Sequence, residues 1–175
     1  MLIIELKIRT FISQRGITLS ELAGILKYDV GFLHNVLKGK RSMPEAMADN
    51  LQKLFQITEN DLIGWTIADK YTLNSLKSAL AEKELNVKSS TVFTDKINGI
   101  LRQKGFSRTD LSKIISYSQS ALNQIITGKR PLSAVVAEKL STSLDIPLQE
   151  IIGWNLADKY SLESIKTANE EKSRL

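Results

Sequence analysis

The chain lacks cysteine altogether and carries one histidine, His34, in 175 residues. The missing cysteine removes disulfides, thiolate nucleophiles and thiolate metal sites together, and it suits a reducing compartment. One imidazole with no thiol and no second histidine makes neither a metal centre nor a histidine-based catalyst, so His34 is expected at the surface. No glycine-rich loop has phosphate-binding spacing and no nucleophile stands beside a base, so neither an enzymatic activity nor a cofactor is expected. With 3 prolines and no low-complexity tract, disorder is not indicated. Long apolar runs are missing too. Met1-Leu2-Ile3-Ile4 is broken by Glu5 and Lys7, too early for a signal-peptide core and far too short for a bilayer span. A cytoplasmic protein with no membrane partner is the expectation.

What the chain does have is a duplication. Lys7, Ile8, Gln14, Gly16, Leu22, Ile25, Tyr28, Leu33, Gly39, Lys40 and Arg41 recur 89 residues later as Lys96, Ile97, Gln103, Gly105, Leu111, Ile114, Tyr117, Leu122, Gly128, Lys129 and Arg130. The register continues through Ile63-Gly64-Trp65 and Ala68-Asp69-Lys70-Tyr71 to Ile152-Gly153-Trp154 and Ala157-Asp158-Lys159-Tyr160. Two copies are too few for a solenoid, and each is long enough to fold by itself, so two similar domains in tandem are expected. They are assigned to residues 1–85 and 94–175, with 86–93 as linker because that stretch is short, polar and β-branched. Cores this small gain from contact with each other or with a second chain. The net charge of +5 is shared, 12 basic against 10 acidic residues in 1–89 and 12 against 9 in 90–175. That balance is compatible with a polyanionic partner without identifying one.

Local patterns read as helix throughout, with no β alternation. Ile4, Ile8, Phe11 and Ile12 have helical spacing and stop at Gly16, which predicts a helix over 3–15. Thr18-Leu19-Ser20-Glu21 is a capping box for a second helix, and Asp29 is a candidate N-cap for a third that carries Phe32, Leu33, Val36 and Leu37 and ends at Gly39. Pro44 opens a fourth over 44–55; Thr58 to Asp61 begins a short fifth into Ile63, and Thr72 caps a sixth. In the second copy the helices are expected at 95–104, 108–115, 119–126, 133–144, 148–153 and 162–172.

Two short helices joined by a tight turn, the second followed by Gly-Lys-Arg, are the arrangement that seats one helix in the major groove while the other crosses the backbone. The segments Leu22-Ala23 to Gly39-Lys40-Arg41, and Gly105-Phe106-Ser107-Arg108-Thr109-Asp110-Leu111 to Gly128-Lys129-Arg130-Pro131, resemble the Cro/CI-type (lambda-repressor-like, XRE-type) helix-turn-helix domain over about residues 5–63 and 94–152. The resemblance implies an all-α chain of two tandem five- to six-helix domains, with the third helix of each meeting base edges. It points to Ser118, Gln119, Ser120, Asn123 and Gln124 as base readers, and to Ser107, Arg108, Thr127, Lys129 and Arg130 at phosphates. The chemistry agrees, since Gln and Asn bond bidentately to adenine and Ser serves several bases. In the first copy the corresponding readers are Val30, Gly31, His34 and Asn35, after Asp29, with Thr18, Lys38, Lys40 and Arg41 as phosphate contacts. That copy departs from the pattern: Asp29 repels phosphate unless it caps its own helix, and Gly31 offers no side chain. The second copy is therefore expected to read sequence more strongly. The first is expected to bind weakly, to read another half-site, or to face a protein.

Trp65, Tyr71, Trp154 and Tyr160 are read first as core and second as interface residues, where aromatics are enriched. Leu76, Leu80 and Ile165 belong to stripes that are core or a dimerisation face. Asp69 and Asp158 are read as surface charges, in a salt bridge or at a helix start. Taken together, the reading is a regulator that binds double-stranded DNA, as a homodimer or an intramolecular pseudo-dimer. The resemblance implies a repressor from a phage, plasmid or other mobile element. The alternative is a protein-binding module on the same fold, such as an antirepressor, inhibitor or antitoxin-like partner.

Overall fold

The structure, a computed structural model, describes residues 1–85 and 91–175. Among the described residues there are twelve helices and no strand: α1 (Ile3–Gln14), α2 (Leu19–Leu26), α3 (Val30–Leu37), α4 (Glu45–Phe55), α5 (Glu59–Lys70), α6 (Leu73–Leu85), α7 (Val92–Lys104), α8 (Arg108–Ile114), α9 (Gln119–Ile126), α10 (Ala134–Leu144), α11 (Leu148–Lys159) and α12 (Leu162–Ser173). None is long and apolar enough to cross a membrane. The chain divides into two compact units, one of Met1–Tyr71 with Lys166–Leu175, the other of Thr72–Ile165.

In the first unit the apolar stripes close on one another, leaving Ile8, Leu22, Leu33, Leu37, Met47 and Leu51 fully buried. Burying each such side chain contributes about 1.5–3 kcal/mol. Phe11 of α1 stacks on Phe55 of α4 with ring centres 5.0 Å apart, and Trp65 of α5 lies 6.2 Å from Phe11. The starts of α2 and α5 are held by Thr18–Glu21 and Thr58–Asp61 capping boxes. Each box satisfies amides that a helix start otherwise leaves unpaired.

The second unit repeats this plan around Phe93, Ile97, Leu111, Leu122, Leu140 and Ile151. It also contains α6, which is encoded in the first repeat. That helix lies along α11 so closely that a Cβ added at Gly153 would stand 2.6 Å from Ser78 Cβ and 2.9 Å from the Ala79 nitrogen. Lys83 of α6 donates to the Ala157 carbonyl at 2.9 Å, and Glu82 pairs with Lys96 of α7 at 2.6 Å. The counterpart pair in the first unit, one repeat away, is Lys7 with Glu171 of α12 at 2.7 Å. Each unit thus includes residues of the other repeat: α6 lies in the second, and Lys166–Leu175, the later part of α12 and the chain end, in the first.

Several sequence expectations shift. α5 and α11 run on through Trp65 and Trp154 to Lys70 and Lys159 rather than stopping near 63 and 153. The glycine in the middle of α11 is the small residue that lets α6 approach. α7 begins at Val92 rather than at 95, because Asp158 accepts from the Val92 and Phe93 amides at 2.7 and 2.9 Å. Asp69 does the same for the Ile3 and Ile4 amides at 2.6 and 3.1 Å. The repeated aspartates are therefore helix caps supplied from 65 or 66 positions away. Burial pushes the Asp158 carboxyl above its ordinary value, against the two amide bonds. Of the expected linker, residues 86–90 lie outside the described residues, while Val92 and Phe93 are buried in α7. A boundary at 86–93 also assigns α6 to the first domain, whereas by packing it belongs to the second unit.

Candidate nucleic-acid interface

In the second unit α8 and α9 are joined by a turn whose pivot is Ser116, in the left-handed region at φ 49°. Ser107 opens α8 in a capping box with Asp110, and Ser118 opens α9 by accepting from the Ala121 amide. Leu111, Leu122, Ile125 and Ile126 face the core. Helical spacing therefore turns Gln119, Ser120, Asn123 and Gln124 outward. These four, with Thr127 and Lys129, line one shallow depression of about 480 Å³. Ser118, Gln119, Ser120, Gln124, Thr127, Lys129 and Arg130 are exposed and Asn123 is half-buried. Gly128 holds φ 72°, a left-handed conformation in which a side chain is strained, and this bends the Lys129-Arg130 loop off the end of α9.

Two of the expected readers are bonded to side chains of α8: Gln119 to Thr109, which the sequence did not single out, and Asn123 to Arg108, expected there as a phosphate contact. Gln119 Nε2 donates to Thr109 Oγ1 at 2.7 Å, which ties α9 to α8 and leaves the Gln119 carbonyl oxygen free to accept. Arg108 donates through Nε and Nη2 to Asn98 Oδ1 at 3.0 and 2.9 Å, and through Nη1 to Asn123 Oδ1 at 3.4 Å. Arg108 thus sits against Asn123 instead of standing free. Two proposed phosphate contacts have internal partners: the Ser107 hydroxyl donates to Asp110 Oδ2 at 2.6 Å, and the Thr127 hydroxyl to the Asn123 carbonyl at 2.8 Å. The Ser107 hydroxyl bond, with its amide bond, holds the Asp110 carboxyl below its ordinary value. Lys129 and Arg130 remain as exposed cations.

The first unit keeps the frame and changes the face. Lys27, at φ 59°, is the pivot in the same register as Ser116. Asp29 Oδ1 accepts from the Phe32 amide at 3.1 Å, so its carboxylate caps α3. Glu21 bonds the Thr18 amide and hydroxyl at 2.7 and 2.8 Å, amide first in effect, and these bonds lower its pKa. Val30, Gly31 and His34 are exposed and Asn35 is half-buried. Tyr28 and Phe32 stack at 5.4 Å and 13°, with the Arg41 guanidinium 5.5 Å from the Phe32 ring centre. Lys38 Nζ lies 2.9 Å from the buried carboxylate of Glu5, which Arg9 also bonds at 3.0 Å. Burial alone raises the Glu5 pKa, but the Lys38 and Arg9 bonds outweigh it and the net shift is downward. Lys38 is therefore already paired, and Lys40 and Arg41 are the exposed cations of this loop.

The other candidate residues lie elsewhere. Trp65, Leu76, Trp154 and Ile165 are buried, while Tyr71, Leu80 and Tyr160 are half-buried. Lys7 and Lys96 sit 5.8 Å above the two tryptophan rings. Among the described residues no cluster of three or more histidine or acidic side chains is arranged to hold a metal.

Residues 100–151 match the family model described as Helix-turn-helix. The match runs from the later part of α7 into α11 and contains the whole depression and its basic loop, so this stretch is similar to helix-turn-helix domains and supports a DNA-binding role. No curated protein and no solved structure matches the chain.

Proposed function

We propose that the chain is a sequence-specific transcriptional regulator, built from two tandem lambda-repressor-like domains, that acts as a repressor by occluding a promoter. The observation that carries this reading is the contiguity of Gln119, Ser120, Asn123 and Gln124 with Thr127 and Lys129 in one exposed depression inside the matched region. Gln119 and Asn123 bond adenine edges, Ser118, Ser120 and Gln124 serve neighbouring bases, and Lys129 and Arg130 neutralise phosphates. Arg108 positions Asn123. Two heads in one chain occupy non-identical half-sites, which a dimer of single heads does not, and a homodimer would present four. The resemblance to the Cro/CI-type family points to a phage, plasmid or other mobile element as its source.

Selection of duplexes from a random pool, followed by footprinting, tests this. Gln119→Ala and Asn123→Ala should each relax base preference by about 1–3 kcal/mol at one position. Lys129→Ala should weaken all sequences alike and lower the salt slope by about 0.9. If the chain ignores both random duplex and heparin at low salt, the reading fails. A protein-binding role for the first unit is favoured in that case by Val30, Gly31 and the Tyr28–Phe32 stack on its outer face.

A further inference from the structure

We infer that the first unit reads thymine by its methyl group, with Val30 as the residue that determines specificity; this rests on the DNA-binding reading above. Val30 is the first residue of α3 and stands in the register of Gln119, the first residue of α9. It is 38% exposed, so its methyl groups are open to solvent at the helix start. Its neighbour Gly31 has no side chain, and a Cβ there would come within 3.0 Å of Asp29 Oδ1, the atom that caps α3. The start of the helix is therefore low and apolar: one branched methyl pair rises beside bare backbone. Among base edges in the major groove only thymine presents a methyl group, and a small apolar side chain is its complement.

The same face is prepared for a polyanion more than for a protein. Asp29 is turned to the Phe32 amide and Glu21 to Thr18, each bonded to the start of its own helix. Lys40 and Arg41 keep the register of Lys129 and Arg130, and Arg41 is seated over Phe32, which fixes the loop beside α3. A duplex satisfies the cations and the apolar tip at once. The two units then read by different chemistries: amide bonding to adenine in the second, methyl contact with thymine in the first.

The experiment uses the full chain and the duplex it selects from a random pool. Each thymine is replaced in turn by deoxyuracil, which removes only the methyl group, and each adenine by an analogue with carbon in place of N7. At least one deoxyuracil should weaken binding about four-fold, the value of one buried methyl group. The Val30→Ala chain should bind the parent duplex weakly by a similar factor and be indifferent to that deoxyuracil, while Val30→Thr, which keeps one methyl group, should retain part of the effect. The adenine analogue should be felt by both chains and lose its effect in Asn123→Ala. If no deoxyuracil matters, or if its effect persists in Val30→Ala, the inference falls while the adenine effect keeps the DNA-binding reading standing. A footprint too short for two heads, with Val30→Ala silent, also overturns it and turns the first unit over to a protein partner. Absence of any duplex binding overturns both.

Discussion

Gly153→Ala sets two well-measured effects against each other. In an unobstructed helix the change stabilises by about 0.8–1 kcal/mol, because alanine loses less backbone freedom on folding. At Gly153 the new Cβ would lie 2.5 Å from Ser78 Oγ, 2.6 Å from Ser78 Cβ and 2.9 Å from the Ala79 nitrogen. Ordinary contact between carbons is about 3.5–4.0 Å, so α6 and α11 must separate by roughly 1 Å at their crossing. The serine hydroxyl can rotate away, but its Cβ and the Ala79 backbone cannot. Overpacking of that kind costs about 1–3 kcal/mol, and with rigid backbone on one side the upper part of the range applies. The net expectation is a loss of about 1–2 kcal/mol, a fall of about 2–8 °C in the melting temperature of a chain this long. Gly99→Ala is the control, because nothing lies within 4 Å of its added Cβ in α7 of the same unit; it should stabilise. Urea titrations of both variants decide the matter. If Gly153→Ala stabilises as much as Gly99→Ala, α6 does not pack on α11, and its place in the second unit is wrong.

Three further outcomes follow from the same contacts. Ending the chain after Ile165 removes Glu171, the partner of Lys7, so hydrogen exchange should speed up in α1 and leave α8 and α9 unchanged, although the cut is made within the second repeat. Ser107→Ala deletes the main bond that depresses the Asp110 pKa, and NMR titration should show that carboxyl rising toward its ordinary value. Because the native pKa lies below the unfolded one, the bond favours folding above the unfolded value and is lost as pH falls through the native one, so the variant should show a weaker decline in stability in acid. Thr109→Val removes the acceptor that holds Gln119, and should broaden base preference at the Gln119 position while leaving the salt slope unchanged in the same binding assay.

The parts of the molecule that could be read from sequence are those whose causes are local. Thr18 with Glu21, Ser107 with Asp110, and Asp29 before Phe32 are signals contained within four residues, and each helix start they imply is present. The candidate reading face was legible for the same reason, since helical spacing from a known start decides which residues turn outward. What escaped was tertiary. No local pattern tells that Asp158 will satisfy amides at Val92 and Phe93, or that Asn98 and Thr109 will hold Arg108 and Gln119. The signal available was the repetition of Ala-Asp-Lys-Tyr itself, because a merely solvated charge has no reason to recur with its neighbours. The place of α6 in the second unit was beyond reach on firmer grounds. When a sequence is duplicated, the helix that accepts α6 exists in two nearly identical copies, α5 and α11, and hydrophobic patterning cannot choose between equal faces. Only Tyr71 and Thr72 separate α5 from α6, and Tyr71 is extended at φ −117° and ψ 157°. Tyr160 repeats that conformation at φ −119° and ψ 155°. The two connections thus share one extended form, and neither carries a local mark by which the sequence would tell α5 from α11 as the partner of α6.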